Sequence, residues 1–302
     1  MKYEFIQANR NCFRATDLCR VLGVSRAGYY DALKRKTAEP GKREKERRHL
    51  SEQIHQIYAA NDGRYGSPRI HKALIAEKHF CSLGRVKRIM RIEGLAAKTG
   101  KKFKPRKSRQ EVTDTPNLLH SDNVKLELIN QVWASDITYI ATEEGWLYLA
   151  GAMDLLSKRI VGYAMADHMK TELIIDCLNM AITHRKPPKG LIHHSDRGSQ
   201  YTSYKFQNKL QAHGFQASFT GTGACLDNAA IESFWATLKK ELIYIKPTFK
   251  TREEARAAIF QYIETYYNRA RIHSSLDYRT PLSFEEFLIS QQQDPVLELL
   301  AA

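Results

Sequence analysis

The sequence has few cysteines and no long apolar run. Its 302 residues include five cysteines, an odd number without a Cys-x-x-Cys pair. This scattered set argues against a disulfide scaffold and a structural zinc site, and it favours a reducing cytosol. The longest apolar stretch, WLYLAGAMDLL, is short and contains Asp154, and the N-terminus has no apolar core of signal-peptide length. We therefore expect a cytosolic protein that does not span a membrane.

Acidic residues are the minority, with 33 Asp and Glu against 47 Lys and Arg, so the formal net charge is +14. The imbalance belongs to the first 110 residues, which hold 28 of the basic residues and 10 of the acidic ones. Such a basic region suits a polyanionic partner such as DNA or RNA. The nearly neutral remainder suggests a different task.

The basic region begins with a pattern typical of a helix-turn-helix. In residues 15–35, Gly23 breaks a first helix and Ser25 can cap a second one. Arg26 opens that second helix and is a candidate DNA contact. Residues 36–48 consist almost entirely of charged and small side chains, so we expect a charged linker that ends the first segment, residues 1–48.

A second helix-turn-helix-like unit is predicted for residues 49–96. Its helix at 82–92 has Val86, Ile89 and Met90 on the apolar side. The opposite side carries four candidate DNA contacts, Arg85, Lys87, Arg88 and Arg91. Basic helix faces are often only solvated surface, but two such units in one basic region favour DNA binding.

After a basic linker at residues 97–125, the pattern changes to a mixed α/β order. Three β-rich runs, QVWASDITYI, WLYLAGAMDLL and RIVGYAMAD, precede a helix, the strand GLIHHSD, a helix, a short strand and a helix from about residue 227. A final helix is predicted at residues 251–267. We therefore expect one α/β domain over residues 126–290 and a tail at residues 291–302.

Three acidic residues of this domain form a candidate metal site. Asp136 lies in a half-buried strand, Asp196 ends a buried strand just before Gly198, and Glu232 lies beside the apolar face of its helix. Each of them alone could be structural or solvated. Together they would repel each other by roughly 4 kcal/mol per pair at about 4 Å and an effective dielectric of about 20. A divalent cation would stabilise such a cluster, and oxygen ligands without a His or Cys cage favour Mg²⁺ or Mn²⁺.

Polar residues near these acids have open roles. Asn228 and Lys239 share the stripe of Glu232 along its helix. The Lys239 ammonium either stands beside the acidic cluster, where a DNA backbone could enter, or is ordinary solvated surface. His193 and His194 alternate along a strand, so one is expected to face the core and the other the site.

The order Asp136, Asp196, Glu232, with 35 residues between the last two, resembles the D,D(35)E signature of retroviral-type integrases and DDE transposases. Within that class, NQVWASDITYI, HHSDRGSQYTS, DNAAIESFWATLKKEL and YYNRARIHSSLDYRTP closely resemble the transposase encoded by the second reading frame of the insertion-sequence-three family. VSRAGYY and YGSPRIHKAL match that family upstream, so the similarity covers nearly the whole chain.

This resemblance implies a multidomain protein, with an all-α helix-turn-helix N-terminal region before an α/β ribonuclease H-like integrase core that has a mixed sheet. It implies a DNA transposase that cleaves at the ends of an insertion sequence and transfers the strand by 3′-OH attack. Asp136, Asp196 and Glu232 would be catalytic and would hold two Mg²⁺ ions, or Mn²⁺ instead. The expected partners are terminal inverted repeats, target DNA and further copies of the chain, on the nucleoid in the bacterial cytosol.

The remaining candidate DNA contacts of this domain are Asn228, Lys239, Arg197, Arg271 and His273. Arg271 and His273 belong to the C-terminal motif and could either contact DNA or pin the last helix. The sequence also leaves two other functions open: a helix-turn-helix regulator with an inactive integrase-like domain, and a metal-dependent nuclease without strand transfer. The presence of all three carboxylates argues against the inactive regulator.

Overall fold

The computed structural model describes residues 2–37, 41–98, 117–119, 125–220, 228–245 and 247–292 of the chain. The N-terminal part is helical: α1 Lys2–Ala8, α2 Ala15–Val21, α3 Arg26–Thr37, α4 Lys42–Ala60, α5 Ser67–Ala76 and α6 Leu83–Ile92. The strands are β1 Val132–Thr142, β2 Gly145–Asp154, β3 Ile160–Ala166, β4 Ile192–Ser195 and β5 Gln216–Phe219. The other helices are α7 Thr171–Arg185, α8 Ser199–Thr202, α9 Tyr204–Ala212, α10 Ala229–Leu238, α11 Arg252–Gln261 and α12 Pro281–Gln292.

The first predicted helix pair is present as α2 and α3. Gly23 adopts φ of +62° between them, a conformation that glycine reaches without steric cost. The Ser25 hydroxyl accepts the Gly28 N–H at 3.0 Å and so caps α3. The helix α1, which the sequence did not predict, adds Ile6 to a small core with Cys19 and Tyr29.

The predicted charged linker at residues 36–48 is wrong in its second half, because α4 begins at Lys42. The Glu44 carboxylate accepts bonds from Arg47 at 2.8 Å and from Arg48 at 3.1 Å, at helical spacing. Such exposed pairs contribute little to stability, because solvent screens them. The helix is held mainly by three buried residues of its second half, Leu50, Ile54 and Ile57. A charged run therefore becomes the solvent face of an anchored helix rather than a linker.

The second helix-turn-helix-like unit is built by α4, α5 and α6. Val86, Ile89 and Met90 are buried along α6, as their spacing predicted. The Ser82 hydroxyl caps this helix by accepting the Arg85 N–H at 3.3 Å. Residues 99–116 and 120–124, most of the predicted basic linker, lie outside the described residues.

The α/β domain contains one five-stranded mixed sheet with the order β3-β2-β1-β4-β5. Strands β1, β2 and β3 are antiparallel neighbours, whereas β4 runs parallel to both β1 and β5. Side chains alternate between the two faces, so Val132 and Ala134 of β1 pack under α10 and α11, while Trp133 packs under α7 and α9. The predicted mixed sheet is confirmed.

The C-terminal part differs from the prediction in two respects. The helix expected at 251–267 is α11 followed by a π-helical turn, Tyr262–Tyr267. It is not the final helix, because α12 follows and reaches into the predicted tail. Glu285 of α12 is buried and accepts bonds from Arg159 and Arg185, which fasten the helix to the sheet. Within the described part of the chain, no helix is long and apolar enough to cross a membrane.

Candidate active site

The strand register brings two of the three predicted acids to neighbouring strands. The parallel pairing of β1 with β4 joins Ala134 to His194 and Ser135 to Ser195. Asp136 and Asp196 each follow one residue later, at the same edge of the two strands. The Gly198 N–H donates to the Asp196 carboxylate at 3.0 Å as the chain turns away from the sheet.

The helix α10 brings Glu232 to the same face of the sheet. Ile231, Phe234 and Leu238 of α10 are buried against this face, and so is Trp235. The Trp235 indole N–H donates to the Asp136 carboxylate at 3.0 Å, which ties the helix to the strand. The structure therefore brings together the three acids that the sequence singled out.

The electrostatics of these acids also indicate one shared site. Burial, then the neighbouring Asp196 and more weakly Glu232, raise the pKa of Asp136 to about 7, although the Ile137 and Trp235 N–H donors oppose the shift. The pKa of Glu232 is raised as well, first by burial and then by Asp196. Such a cluster of mutually repelling carboxyls is typical of a functional site.

The donor set fits a divalent cation by its chemistry, although not as a closed coordination shell. Within the described ranges, no three acidic, histidine or cysteine side chains converge tightly enough to hold a metal ion as they stand. Glu232 is exposed, and its carboxylate has no hydrogen-bond donor among the described residues. The three carboxylates are the hard oxygen ligands that Mg²⁺ prefers, and a cation would offset the burial and the repulsion from Asp196 that raise the pKa values of Asp136 and Glu232.

Sequence inspection missed Gly151, which lies opposite Asp136 in the β1–β2 pair. A Cβ atom at this position would lie 2.6 Å from the Trp235 indole, so only glycine lets the ring lie flat on the sheet beside Asp136. The available signal was a glycine inside an apolar strand, which often marks the close approach of another group.

We expect Gly151→Ala to lower DNA joining about tenfold, a loss of roughly 1.4 kcal/mol. The added methyl group must displace the Trp235 ring and with it the donor to Asp136, and such overpacking typically costs about 1–3 kcal/mol of stability. Joining rates and thermal melting would be compared with Ala141→Ser, an exposed substitution on the neighbouring strand. If Gly151→Ala joins DNA at the wild-type rate, Trp235 does not support the site.

The other polar residues predicted on α10 have different surroundings. Asn228 is only 4% exposed, so in this structure it is not an open DNA contact. Lys239 is half-buried with its ammonium 5.0 Å from the centre of the Tyr139 ring. Burial lowers the pKa of Lys239, and Asp136 opposes that shift, so the lysine lies within reach of the acidic cluster. It is therefore not a freely solvated surface lysine.

Arg271 is a correction among the predicted DNA contacts. It is 5% exposed, and its guanidinium forms a two-pronged ion pair with the buried carboxylate of Glu241 at 2.9–3.2 Å. Of the two alternatives, the structure favours the pinning role. His273 is half-buried beside it, with its ring 4.9 Å from that of Tyr267.

The two adjacent histidines are both buried, one on each face of the sheet. His193 is bonded to the Ser135 hydroxyl at 2.9 Å and packs beside Phe206. His194 is bonded to the Ser218 hydroxyl at 2.9 Å on the opposite face. By the β1–β4 register, His194 lies on the sheet face that carries Asp136 and Asp196, and His193 lies on the other face, so one histidine lies on each face as the alternation predicted.

The remaining candidate DNA contacts are Arg197 of the catalytic domain and five basic residues of the N-terminal units. Arg197 follows Asp196 and donates to the Thr220 carbonyl at 3.0 Å. Five basic residues are exposed on the two N-terminal units, Arg26 on α3 and Arg85, Lys87, Arg88 and Arg91 on α6. On α6, Arg85 lies 3.9 Å from Glu46, whereas Lys87, Arg88 and Arg91 form an exposed basic surface.

Comparison with known proteins agrees with this architecture. Models of an integrase core domain match residues 128–225 and 213–281, and a model of an HTH-like domain matches residues 45–103. The transposase InsF of insertion sequence IS3A from Escherichia coli (strain K12) is 39% identical over 286 residues, 94% of this chain and 98% of that protein. The transposase of insertion sequence element IS904 from Lactococcus lactis subsp. lactis (strain IL1403) is 43% identical over 249 residues, 82% of this chain and 98% of that protein.

Among solved structures, the HTLV-2 integrase catalytic core domain in complex with magnesium aligns at 17% identity with a TM-score of 0.41, covering 52% of this chain and 97% of that one. The simian T-cell lymphotropic virus intasome aligns at 14% identity with a TM-score of 0.44, covering 77% of this chain and 74% of that one.

An HTH-like domain joined to an integrase core defines a polynucleotidyl transferase of the DDE type. The chain belongs to the IS3 family of transposases, since it shares 39% identity with a member over nearly the whole length of both proteins. It is a DNA transposase, and the predicted fold class is confirmed.

Proposed function

We propose that Asp136, Asp196 and Glu232 are the catalytic residues of this transposase and hold two Mg²⁺ ions, with Mn²⁺ as a substitute. The single observation that carries this proposal is the placement of the three carboxyls on one face of the sheet, with Asp136 and Asp196 following paired strand residues and the helix of Glu232 bonded to Asp136 through Trp235. When bound, such ions activate an oxygen nucleophile and stabilise the leaving oxygen of an in-line phosphoryl transfer.

The chain's own contribution is the orientation of these ligands. The Ile137 N–H at 2.8 Å and the Trp235 N–H at 3.0 Å each hold one oxygen of Asp136. The Gly198 N–H holds one oxygen of Asp196. Glu232 is exposed on α10 and free to complete the set. One pocket of this kind would serve both the cut at the element end and the joining of that end to a target.

The experiment uses labelled element-end DNA, Mg²⁺ and a circular target. Joined products support the transposase. Cleavage without joining would instead support a nuclease, and binding without either reaction would support a DNA-binding regulator.

The partners and the division of labour follow from the same proposal. Residues 1–48 and 49–96 would grip the terminal repeats, residues 97–125 would link them to the catalytic domain at 126–290, and residues 291–302 would follow it. Copies of the chain would assemble on the two element ends and the target DNA, on the nucleoid of the bacterial cytosol.

Lys239 is expected to guide the DNA end into the site. Its ammonium lies near Asp136, where a phosphate backbone would approach the carboxylates. We expect Lys239→Ala to lower joining about tenfold, or roughly 1.4 kcal/mol, and Lys239→Glu to be worse because it repels phosphate. Joining rates at one salt concentration would be compared with those of Lys125→Ala, an exposed lysine of the same domain. If Lys239→Glu joins DNA at the wild-type rate, Lys239 is only a surface residue and does not guide the DNA end.

The basic face of α6 is expected to contact DNA phosphates. Lys87 and Arg88 are exposed on this helix. Replacing both with Gln should reduce the slope of log K against log[salt] by about 2, since each lost phosphate contact removes about 0.9. DNA binding by the full chain would be measured across a salt series beside Lys125→Gln/Lys189→Gln, which removes the same charge elsewhere. Equal slopes for the two double variants would contradict this role of α6.

A further inference from the structure

A polar pocket, separate from the acidic cluster, lies between the HTH-like unit and the catalytic domain. It is on the far side of α10 from Glu232. It has a volume of about 470 Å³. Ala230, Ser233 and Thr237 of α10 line it, and at about 100° per residue they lie on a different face from Glu232. The helix therefore presents one face to the acidic cluster and the other to this pocket.

The pocket is lined by cations from three separate parts of the chain. Arg69 comes from α5 and Lys158 from the turn between β2 and β3, while the C-terminal motif contributes Arg271, whose charge is taken up by Glu241, and the uncharged His273. Among the described lining residues there is no acidic side chain. The pocket is therefore a basic concavity that only the folded chain creates.

Glu241 neutralises Arg271, but among the described residues no carboxylate is left for Arg69 or Lys158 alone. Glu241 is shared by Arg271 and Arg69, which lies 3.7 Å from it. Lys158 donates to the neutral Leu155 carbonyl at 2.6 Å. Burial lowers the pKa of Lys158, and the buried Asp154 opposes that shift.

The Asp154 carboxylate already accepts N–H bonds from Asn130 and Ser157. Its neighbour Glu285 is occupied by Arg159 and Arg185. Among the described residues of this region, five cations (Arg69, Arg271, Lys158, Arg159 and Arg185) share the three carboxylates of Glu241, Asp154 and Glu285, which leaves a positive excess beside the pocket.

The pKa of His273 reflects the same excess of positive charge. Burial, followed by the nearby Arg271, Arg69 and Lys158, lowers the pKa of His273 to about 3. The beginning of α10 adds to the positive potential, because the Asn228 side chain does not cap this helix. Hydroxyl groups of Ser233, Ser274 and Ser275 line the same space as further hydrogen-bond donors.

We propose that this pocket binds a phosphate group, supplied by the backbone of DNA held by the transposase. The proposal rests on the proposed function for its source of phosphate but uses none of the three catalytic acids. Arg69 belongs to the HTH-like unit and Lys158 to the catalytic domain, so one phosphate would connect the two. DNA would then contact α10 on the face opposite Glu232 as well as at the acidic cluster.

The test follows the His273 ring by NMR in the full chain with ¹³C-labelled histidine, its signal being identified by its loss in His273→Gln. The protein is titrated with inorganic phosphate and, separately, with a short DNA duplex in the Asp136→Asn background, which prevents cleavage. We expect the His273 signal to shift with both, and Arg69→Gln/Lys158→Gln to weaken the apparent affinity for phosphate about tenfold or more. The charge-matched control Lys125→Gln/Lys189→Gln should keep the wild-type response.

The outcomes separate this inference from the proposed function. A shift with phosphate but not with DNA assigns the pocket to free phosphate and overturns the DNA contact. No shift with either ligand overturns the pocket altogether, even if the protein joins DNA normally. An equal loss in the control double variant would also overturn it, because the effect would then come from net charge. Failure of wild-type joining, with the His273 response intact, would count against the proposed function alone.

Discussion

Asp136→Asn, Asp196→Asn and Glu232→Gln are each expected to reduce strand cutting and joining by at least about a thousandfold, which corresponds to roughly 4 kcal/mol of barrier. Each substitution keeps the shape of the side chain but removes a negative charge that metal ligation requires. DNA binding should remain nearly intact, because none of the three residues belongs to a basic surface. Joining of labelled ends, with binding measured in parallel, checks this. A variant that retains near-normal turnover would exclude its residue from the site.

The same Asp136→Asn variant should be more stable than the wild type at neutral and alkaline pH. The pKa of Asp136 is about 7 in the folded chain and takes its ordinary value of 3.8 once unfolded. The folded state therefore retains a proton that the unfolded state has lost, and the free energy of unfolding falls as pH rises from about 4 to 7. Asparagine at position 136 does not ionise, so the variant does not lose stability in this way as pH rises.

We expect the melting temperature of Asp136→Asn to exceed that of the wild type by roughly 2–6 °C above pH 7, for a gain of about 1–2 kcal/mol. Below pH 4 the difference should disappear, because the wild-type aspartate is then protonated in both states. Melting curves without divalent cations at a series of pH values measure this. A less stable variant at pH 8 would mean that the carboxylate is satisfied in the fold and that its loss of activity has another cause.

The position of this site could be predicted because its signals are local. Asp196 ends a buried strand before Gly198, and Glu232 lies beside an apolar helix face, so strand ends and helical periodicity placed both of them. The order of strands and helices along the chain likewise predicted a mixed sheet. These features depend on residues that are close together in the chain.

The supporting contacts depend on residues that are far apart in the chain, and they were not predictable. Gly151 matters because β2 lies beside β1 and Trp235 covers both, which no spacing reveals. The charged run at residues 36–48 became helical because Leu50, Ile54 and Ile57 anchor it from one end. Glu285 looks like any surface acid of an amphipathic helix, yet it is buried by Arg159 and Arg185.

Glu241 is the clearest case of a role that periodicity could not give. Regular α-helix continues to Leu238, and then a π-helical turn spans Lys239–Ile243, with the Tyr244 N–H bonded to the Lys239 carbonyl at 2.8 Å. The Glu241 carboxylate is buried in this turn, where it accepts bonds from Arg271 and from the Tyr262 hydroxyl at 2.8 Å. Its backbone carbonyl accepts from Arg64 of the HTH-like unit at 3.2 Å. The turn thus joins the helix of Glu232 to the rest of the molecule.

Arg271→Gln is therefore expected to destabilise the chain by about 3–5 kcal/mol, because it leaves the Glu241 carboxylate buried without its main partner. In melting temperature this corresponds to a loss of at least about 6 °C. The exposed pair of Arg20 with Asp17 provides the control, since Arg20→Gln should cost no more than about 1 kcal/mol. Thermal and denaturant unfolding of the two variants, compared with the wild type, measure the difference.

A double-mutant cycle separates the ion pair from a direct DNA contact. Glu241→Gln alone should also destabilise the folded chain, because it leaves the buried guanidinium of Arg271 without its carboxylate partner. The combined Glu241→Gln/Arg271→Gln variant should cost less than the sum of the two single changes, by about 1–3 kcal/mol, since neither charge is then left alone. DNA affinity at fixed salt should follow stability in all three variants. If Arg271→Gln instead weakens DNA binding while its melting temperature stays at the wild-type value, the pinning role is wrong and the arginine belongs to the DNA interface.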